Sequence, residues 1–179
     1  MPIWTILGDR LLRSLTAIPT LTDWLICLGL LISYGAIALP VGFWTKLLTV
    51  EWVTDWRRIL TNTIVAFIFP SVIEEILFRV LPLPHPSSST SWGAIALWSV
   101  GSLIIFILAH PLNALLVMTS RRDTFFDGSF LTLAGLLGVV CTVSYLQSGS
   151  LWPPVMLHWV IVVLWLVGLG GDRRMTQPT

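Results

Sequence analysis

The sequence predicts an all-α fold: a polytopic transmembrane helix bundle with about five spans and additional interfacial helices. Three observations lead there. Of 179 residues, 55% are hydrophobic and only 11% are charged, with a mean hydropathy of +0.87, whereas soluble domains carry about 25% charged residues. Segments 24–44, 60–82, 92–118, 130–146 and 151–169 each meet or approach the roughly 20 apolar residues that a membrane-crossing helix needs. Trp24 and Trp44 bracket the first segment, while Trp92 and Trp152 open the third and fifth, in the manner of an aromatic interface belt.

The elements follow in order. Residues 1–22 form an N-terminal interfacial segment, because Asp9, Arg10 and Arg13 interrupt its apolar stretch. That pattern suits an amphipathic helix on the membrane surface better than a cleavable signal or a span. Residues 23–179 form one membrane-embedded domain. Between the first two spans, residues 45–59 mix Lys46, Glu51, Asp55, Arg57 and Arg58 with Trp52 and Trp56, and read as a second amphipathic interfacial stretch. Residues 84–91 are a polar loop containing His85, with Ser91 as N-cap of the third span. Arg121-Arg122-Asp123 marks the next loop, Gly149-Ser150 a tight turn, and Gly170-Gly171 the end of the last helix. With a net charge of +1 and no basic run beyond two residues, no nucleic-acid partner is expected. Cys27 and Cys141 fall inside spans and read as packing residues, not a disulfide framework.

The chemistry lies in the second span, in Ile73-Glu74-Glu75-Ile76-Leu77-Phe78-Arg79. Each ionisable residue near a membrane helix centre costs about 2.5–3.5 kcal/mol on insertion scales. Glu75 and Arg79 are four apart and share a face, so they can neutralise each other. Glu74 points about 100° away, towards a different neighbour, and is left free as a base. The same three residues also suit a purely structural polar knot. His110 and His158 lie in the third and fifth segments. Phe106 is one turn before His110 and can orient its imidazole. Pro111 follows and disfavours helical geometry at His110, and Asn113 shares roughly the same face. Counting along the helices places Glu74 about 12 Å and His158 about 10 Å from the same membrane face, the face of the 84–91 loop. His110 joins them if the first turns of its long segment protrude or tilt.

Glu74-Glu75-x-x-x-Arg79, Phe106-x-x-x-His110 and His158, in that order on separate spans over roughly residues 60–170, resemble the CPBP family. These are the CAAX proteases and bacteriocin-processing (Abi) membrane proteins. The resemblance implies a helical intramembrane endopeptidase, glutamate-dependent or metal-dependent, acting on a membrane-associated peptide or protein. By it, Glu74 and His110 activate a water and His158 stabilises the oxyanion, with Glu75 and Arg79 in support. The sequence departs from the family at Val162, where members commonly carry Asn as a second oxyanion donor. Asn113 is the candidate replacement. The alternative is a non-catalytic membrane immunity or peptide-binding protein of the same family.

No cofactor is expected. A zinc site built from Glu74, His110 and His158 is the alternative, although no His-Glu-x-x-His pair is present. Ser150 lacks a Gly-x-Ser-Gly setting and no aspartate falls inside a span, which argues against serine and aspartyl intramembrane chemistry. A proton-relay transporter is disfavoured by the lack of a repeat. Five spans put Lys46, Arg57, Arg58, Arg121, Arg122, Arg173 and Arg174 on one side, against Arg10 and Arg13 on the other. The seven then face the cytoplasm, which sets the expected depth of Glu74 and His158 nearer the opposite face.

Overall fold

The computed structural model describes residues 2–176; the outer ends of the two expected ranges, Met1 and 177–179, lie outside them. The architecture is a helical bundle, and among the described residues the one β feature is an isolated bridge between Glu51 and Leu169. Among the described residues three helices are long and apolar enough to cross a membrane, and this is a membrane protein.

Helix α1 (Ile3–Thr16) carries an i,i+4 pair between Asp9 and Arg13 at 2.8 Å on its polar side. It docks by satisfying chain ends. Arg10 Nη1 donates to the carbonyls of Leu81 (2.6 Å) and Pro82 (3.1 Å), where the second apolar segment ends. In return the Leu151 amide, the Ser150 hydroxyl and the Trp152 indole donate to the carbonyls of Ser14, Ala17 and Leu15. These are the groups that a helix C-terminus leaves without intrahelical partners. The Ser14 and Tyr145 hydroxyls, both buried, pair at 3.0 Å.

Helix α2 (Leu21–Trp44) opens with a reciprocal cap, Thr20 N to Asp23 Oδ2 at 2.7 Å and Asp23 N to Thr20 Oγ1 at 3.3 Å. It stops just before Lys46, whose φ of 60° is left-handed. The amphipathic stretch expected over residues 45–59 is not helical along its length. Thr49, Glu51 and Val53 run extended and donate their amides to the carbonyls of Leu169, Gly168 and Val167. The α8 terminus offers these open carbonyls, and the β-prone Thr and Val residues answer them. Helix formation resumes only at α3 (Trp56–Ala66), capped by Asp55.

The second span is also broken rather than continuous. Phe69 leaves helical space (φ −121°, ψ 112°) in front of Pro70, as the residue before a proline tends to do. The Ser71 hydroxyl donates to the Ala66 carbonyl at 2.7 Å, a bond Pro70 has no N–H to make. Beyond the break, the single turn α4 (Ile73–Glu75) runs into a wide π-helical turn, Ile76–Val80. By contrast α5 (Trp92–Leu116) runs unbroken through Pro111, so His110 stays helical. The break expected beside His110 lies instead beside Glu74.

After a short turn, Thr119–Arg121, and α6 (Arg122–Phe125), helix α7 (Gly128–Ser148) forms the centre of the bundle. It packs on α2, on α5 and on α8 (Trp152–Gly168), while α3 leans on α8. Asp127 caps its start, and Gly149 ends it at φ 66°. At 17 residues α8 is shorter than the other apolar helices, because Gly170 (φ 78°) turns the chain into α9 (Gly171–Thr176).

Polar contacts hold α9 in place. Asp172, 8% exposed, takes Arg58 through both oxygens (3.0 and 2.8 Å) and Asn62 at 2.9 Å. Arg173 pairs with Glu51 at 2.8 Å. Asp172→Ala is expected to destabilise the protein by about 1–3 kcal/mol, since Asn62 loses its acceptor in a partly buried setting. Denaturant unfolding in detergent micelles checks this, with Arg173→Ala, at an exposed pair, expected to fall below about 1 kcal/mol.

Candidate active site

Glu75 is fully buried, and its Oε1 is the acceptor on which the site is built. Arg79 Nη1 reaches it at 3.1 Å from one turn along, and His158 Nδ1 reaches it at 2.7 Å from α8. Arg79, 1% exposed, spends a second donor on the Gly138 carbonyl of α7 at 3.1 Å. The face of its guanidinium lies 4.5 Å from the centre of the Phe106 ring of α5, close enough for a cation–π contact. One ion pair therefore ties the α4 region to α5, α7 and α8.

Glu74, beside it, makes no such bond. Its Oε2 is buried without a hydrogen-bond partner and stands 4.0 Å from His158 Nε2. That separation is too long for a direct hydrogen bond and is one at which a bridging water is to be considered. The sequence sends Glu74 towards a different neighbour from Glu75. In the structure both carboxylates meet the same imidazole, one at each nitrogen, because the ring itself bridges their angular separation.

His110 completes the group from α5. Its Nδ1–H has the Phe106 carbonyl as acceptor at 3.0 Å, which leaves Nε2 free. Three phenylalanine rings enclose the imidazole edge-on: Phe106 at 5.0 Å, Phe130 at 5.4 Å and Phe125 at 5.7 Å. Phe106 also touches His158 at 6.3 Å and Phe78 at 5.3 Å. Glu74, His110, Asn113, His158 and Val162 all line one cavity of about 740 Å³. Asn113 is exposed on its wall.

The cavity continues past these residues to Asn62, Arg121, Asp172, Met175 and Thr176. It therefore extends to the side bearing Arg58, Arg122 and Arg173, not to the 84–91 loop from which the sequence measures depth. The break at Phe69–Pro70 invalidates counting along a straight span.

The alternative zinc set, Glu74, His110 and His158, is not the group whose ligand atoms lie closest together among the described residues. The ligand atoms that lie within 4.8 Å of one another belong to Glu75, Cys141 and His158, all buried. Glu75 Oε1 there already receives the Arg79 guanidinium, which opposes a second cation. Cys141, read from sequence as a packing residue, thus adjoins the charged group.

Gly138 is a site residue the sequence does not reveal. A Cβ there would come within 2.6 Å of Leu103 Cδ1, 3.1 Å of Arg79 Nη2 and 3.1 Å of Phe106 Cδ1. One glycine among several in an apolar helix carries no local sign of this. Ser102, whose hydroxyl donates to the Phe78 carbonyl, was equally silent.

Arg79→Met leaves the Glu75 carboxylate buried without its cation and is expected to cost about 3–5 kcal/mol. Adding Glu75→Gln to it removes the orphaned charge and should recover part of that loss. Thermal unfolding of the single and double variants in detergent measures the difference.

The sequence model of one family, described as type II CAAX prenyl endopeptidase Rce1-like, matches residues 56–164, more than half the chain. That stretch includes the two glutamates, Arg79, Phe106, His110, Asn113, His158 and Val162. No curated protein and no solved structure matches the chain significantly.

Proposed function

Because the chain belongs to the Rce1-like type II CAAX prenyl endopeptidases, we propose that it is an intramembrane endopeptidase in which Glu74 and His110 activate the attacking water. The observation that carries this reading is the asymmetry of the glutamate pair. Each carboxylate has a buried, unpartnered Oε2, but Glu75 Oε1 holds both Arg79 and His158, whereas Glu74 has no ion pair with Arg79 and its Oε2 faces His158 Nε2 across 4.0 Å.

The chemistry follows from which protons are already committed. His110 gives Nδ1–H to the Phe106 carbonyl, so its Nε2 is an acceptor when the ring is neutral. Glu74 and His110 thus both present lone pairs to a water in the cavity. The water oxygen attacks the scissile carbonyl carbon, its proton passes to Glu74, and Glu74 returns that proton to the amine as the C–N bond breaks. His158 gives Nδ1–H to Glu75. To hold the oxyanion through Nε2 it must therefore carry both ring protons. An oxyanion donor is often worth about 3 kcal/mol of barrier.

The cavity lining is mostly aliphatic and aromatic, which suits a membrane-associated substrate with a lipid or apolar side chain beside the cleaved bond. No metal is assigned to this reaction. The chain is proposed to cross the membrane several times, through α2, the broken α3–Val80 segment, α5, α7 and α8, with the basic loops in the cytoplasm.

Glu74→Gln keeps the shape of the side chain and removes the base. Hydrolysis of a lipidated peptide by purified protein should fall at least about 100-fold, with an unchanged melting temperature. Wild-type turnover should persist in EDTA or 1,10-phenanthroline. Equal cleavage by Glu74→Gln, or loss of cleavage on chelation, would overturn the assignment.

Val162 favours a second reading. It lines the cavity where related enzymes commonly carry an asparagine, so without a substitute donor the protein binds peptides and does not cut them. Asn113, on the His110 helix, is the proposed substitute. Asn113→Ala should then lower kcat about as far as His158→Ala, by roughly 10²–10³; full activity in Asn113→Ala excludes it as the donor.

A further inference from the structure

A second cavity, of about 250 Å³, lies between the extended stretch 49–53, the start of α3 and the turn into α9. It shares only Leu166 and Asp172 with the large cavity and plays no part in the hydrolysis described above. Glu51, Asp55, Arg58, Asp172 and Arg173 line it together with Trp52. We propose that it binds the headgroup of a membrane phospholipid whose phosphate carries a primary ammonium, as in phosphatidylethanolamine.

The charges select a zwitterion. Arg58 is matched by Asp172 at 3.0 and 2.8 Å, and Arg173 by Glu51 at 2.8 Å. Each guanidinium still has its Nη1 donors unspent among the described residues, and such donors suit phosphate oxygens. Asp55 is the carboxylate left over. It caps α3 through Oδ1, which accepts the Arg57 amide at 3.0 Å, and it makes no ion pair among the described residues. Glu51 gives only Oε2 to Arg173. The walls therefore hold two cations against three anions, and the charge still unmatched is negative. A bare phosphate would meet that excess unfavourably, and a bare amine would leave the guanidinium donors idle. One molecule with both groups answers both.

The acceptors also select the amine. A primary ammonium has three N–H donors for Asp55 Oδ2 and Glu51 Oε1, whereas a trimethylammonium has none. A serine headgroup would bring a further carboxylate against these acids, and a glycerol headgroup would bring no cation.

The setting favours a lipid as the source. Trp44, Trp52 and Trp56 flank the same region and are 84%, 69% and 65% exposed, the placement of indoles at the headgroup level of a bilayer. The Trp52 ring is nonetheless held in place. It lies so close against Gly168 that a Cβ there would come within 3.2 Å of the ring.

Native mass spectrometry of the protein in detergent, titrated with short-chain phosphatidylethanolamine, phosphatidylcholine and phosphatidylglycerol, tests the assignment. Water-soluble glycerophosphoethanolamine is titrated in parallel. Phosphatidylethanolamine should bind about fivefold or more tightly than either other lipid. It should also raise the melting temperature by about 3–5 °C at about ten times its dissociation constant. The double variant Glu51→Gln, Asp55→Asn removes the ammonium acceptors, and asparagine still serves as an N-cap. It should lose the preference among the three lipids. Arg173→Gln, a separate variant at an exposed pair, should weaken all three. Equal binding of the three lipids, binding of none, or a preference that survives the double variant overturns the site. Glycerophosphoethanolamine binding as tightly as the lipid overturns the membrane source.

Discussion

The Glu75–Arg79 pair is the constraint on which the rest of the arrangement depends. Two full charges with almost no exposure are costly in a bundle made mostly of aliphatic side chains, by several kcal/mol per ion even after relaxation. Attraction between the two ions alone does not offset this. The deficit is met by further partners: the Gly138 carbonyl, the Phe106 ring and the His158 imidazole. Each comes from a different helix, so the pair can be satisfied only when α5, α7 and α8 are correctly seated. Gly138 shows how tight that seating is, since its lack of a side chain is what lets Arg79 reach the backbone of α7.

The pair also explains how adjacent glutamates acquire different roles. Regular helix geometry separates them by about 100°, but the segment holding them is not regular. The break at Phe69 precedes the single turn Ile73–Glu75 and a wide π-helical turn follows it, the latter a feature frequent at functional sites. Both carboxylates address one imidazole, and His158 receives opposite instructions at its two nitrogens. At Nδ1 it is held by a carboxylate whose charge is already compensated. At Nε2 it faces one that is not. His110 is fixed differently, by its own helix's backbone and by three aromatic rings. The two histidines are therefore not interchangeable.

Much of this was legible beforehand, for reasons that can be named. Apolar run length and tryptophan placement locate α2, α5 and α7 to within a few residues, because lipid exposure makes composition a direct report of environment. The i,i+4 relation between Glu75 and Arg79 is local, as is that between Phe106 and His110, so spacing alone specifies their contact. What escaped depends on contacts between distant segments. Residues 45–55 look amphipathic in isolation, yet the open carbonyls at the end of α8, more than a hundred positions away, draw Thr49, Glu51 and Val53 into an extended path. Pro70 and Pro111 look alike in sequence. Pro111 is accommodated within a helix, whereas Pro70 follows a break. Gly138 and Ser102 carry no chemical label at all.

The break at Phe69 bears most directly on how the site is reached. An unbroken second span would hold Glu74 at a fixed depth, nearer the 84–91 loop, with the basic loops on the far side. Because α3 ends before Pro70 and leans on α8, Val65, Ala66 and Phe69 line the cavity instead of closing it. The cavity thereby continues to the residues around Arg121 and Asp172. The polar mouth then lies beside the basic loops, and the walls further in are mostly apolar. Under the proposed endopeptidase reading, such a graded passage suits a molecule that is apolar at one end and polar at the other. The same kink that opens the cavity beside Glu74 therefore also shapes the route to it, so access and the proposed chemistry share a single structural cause.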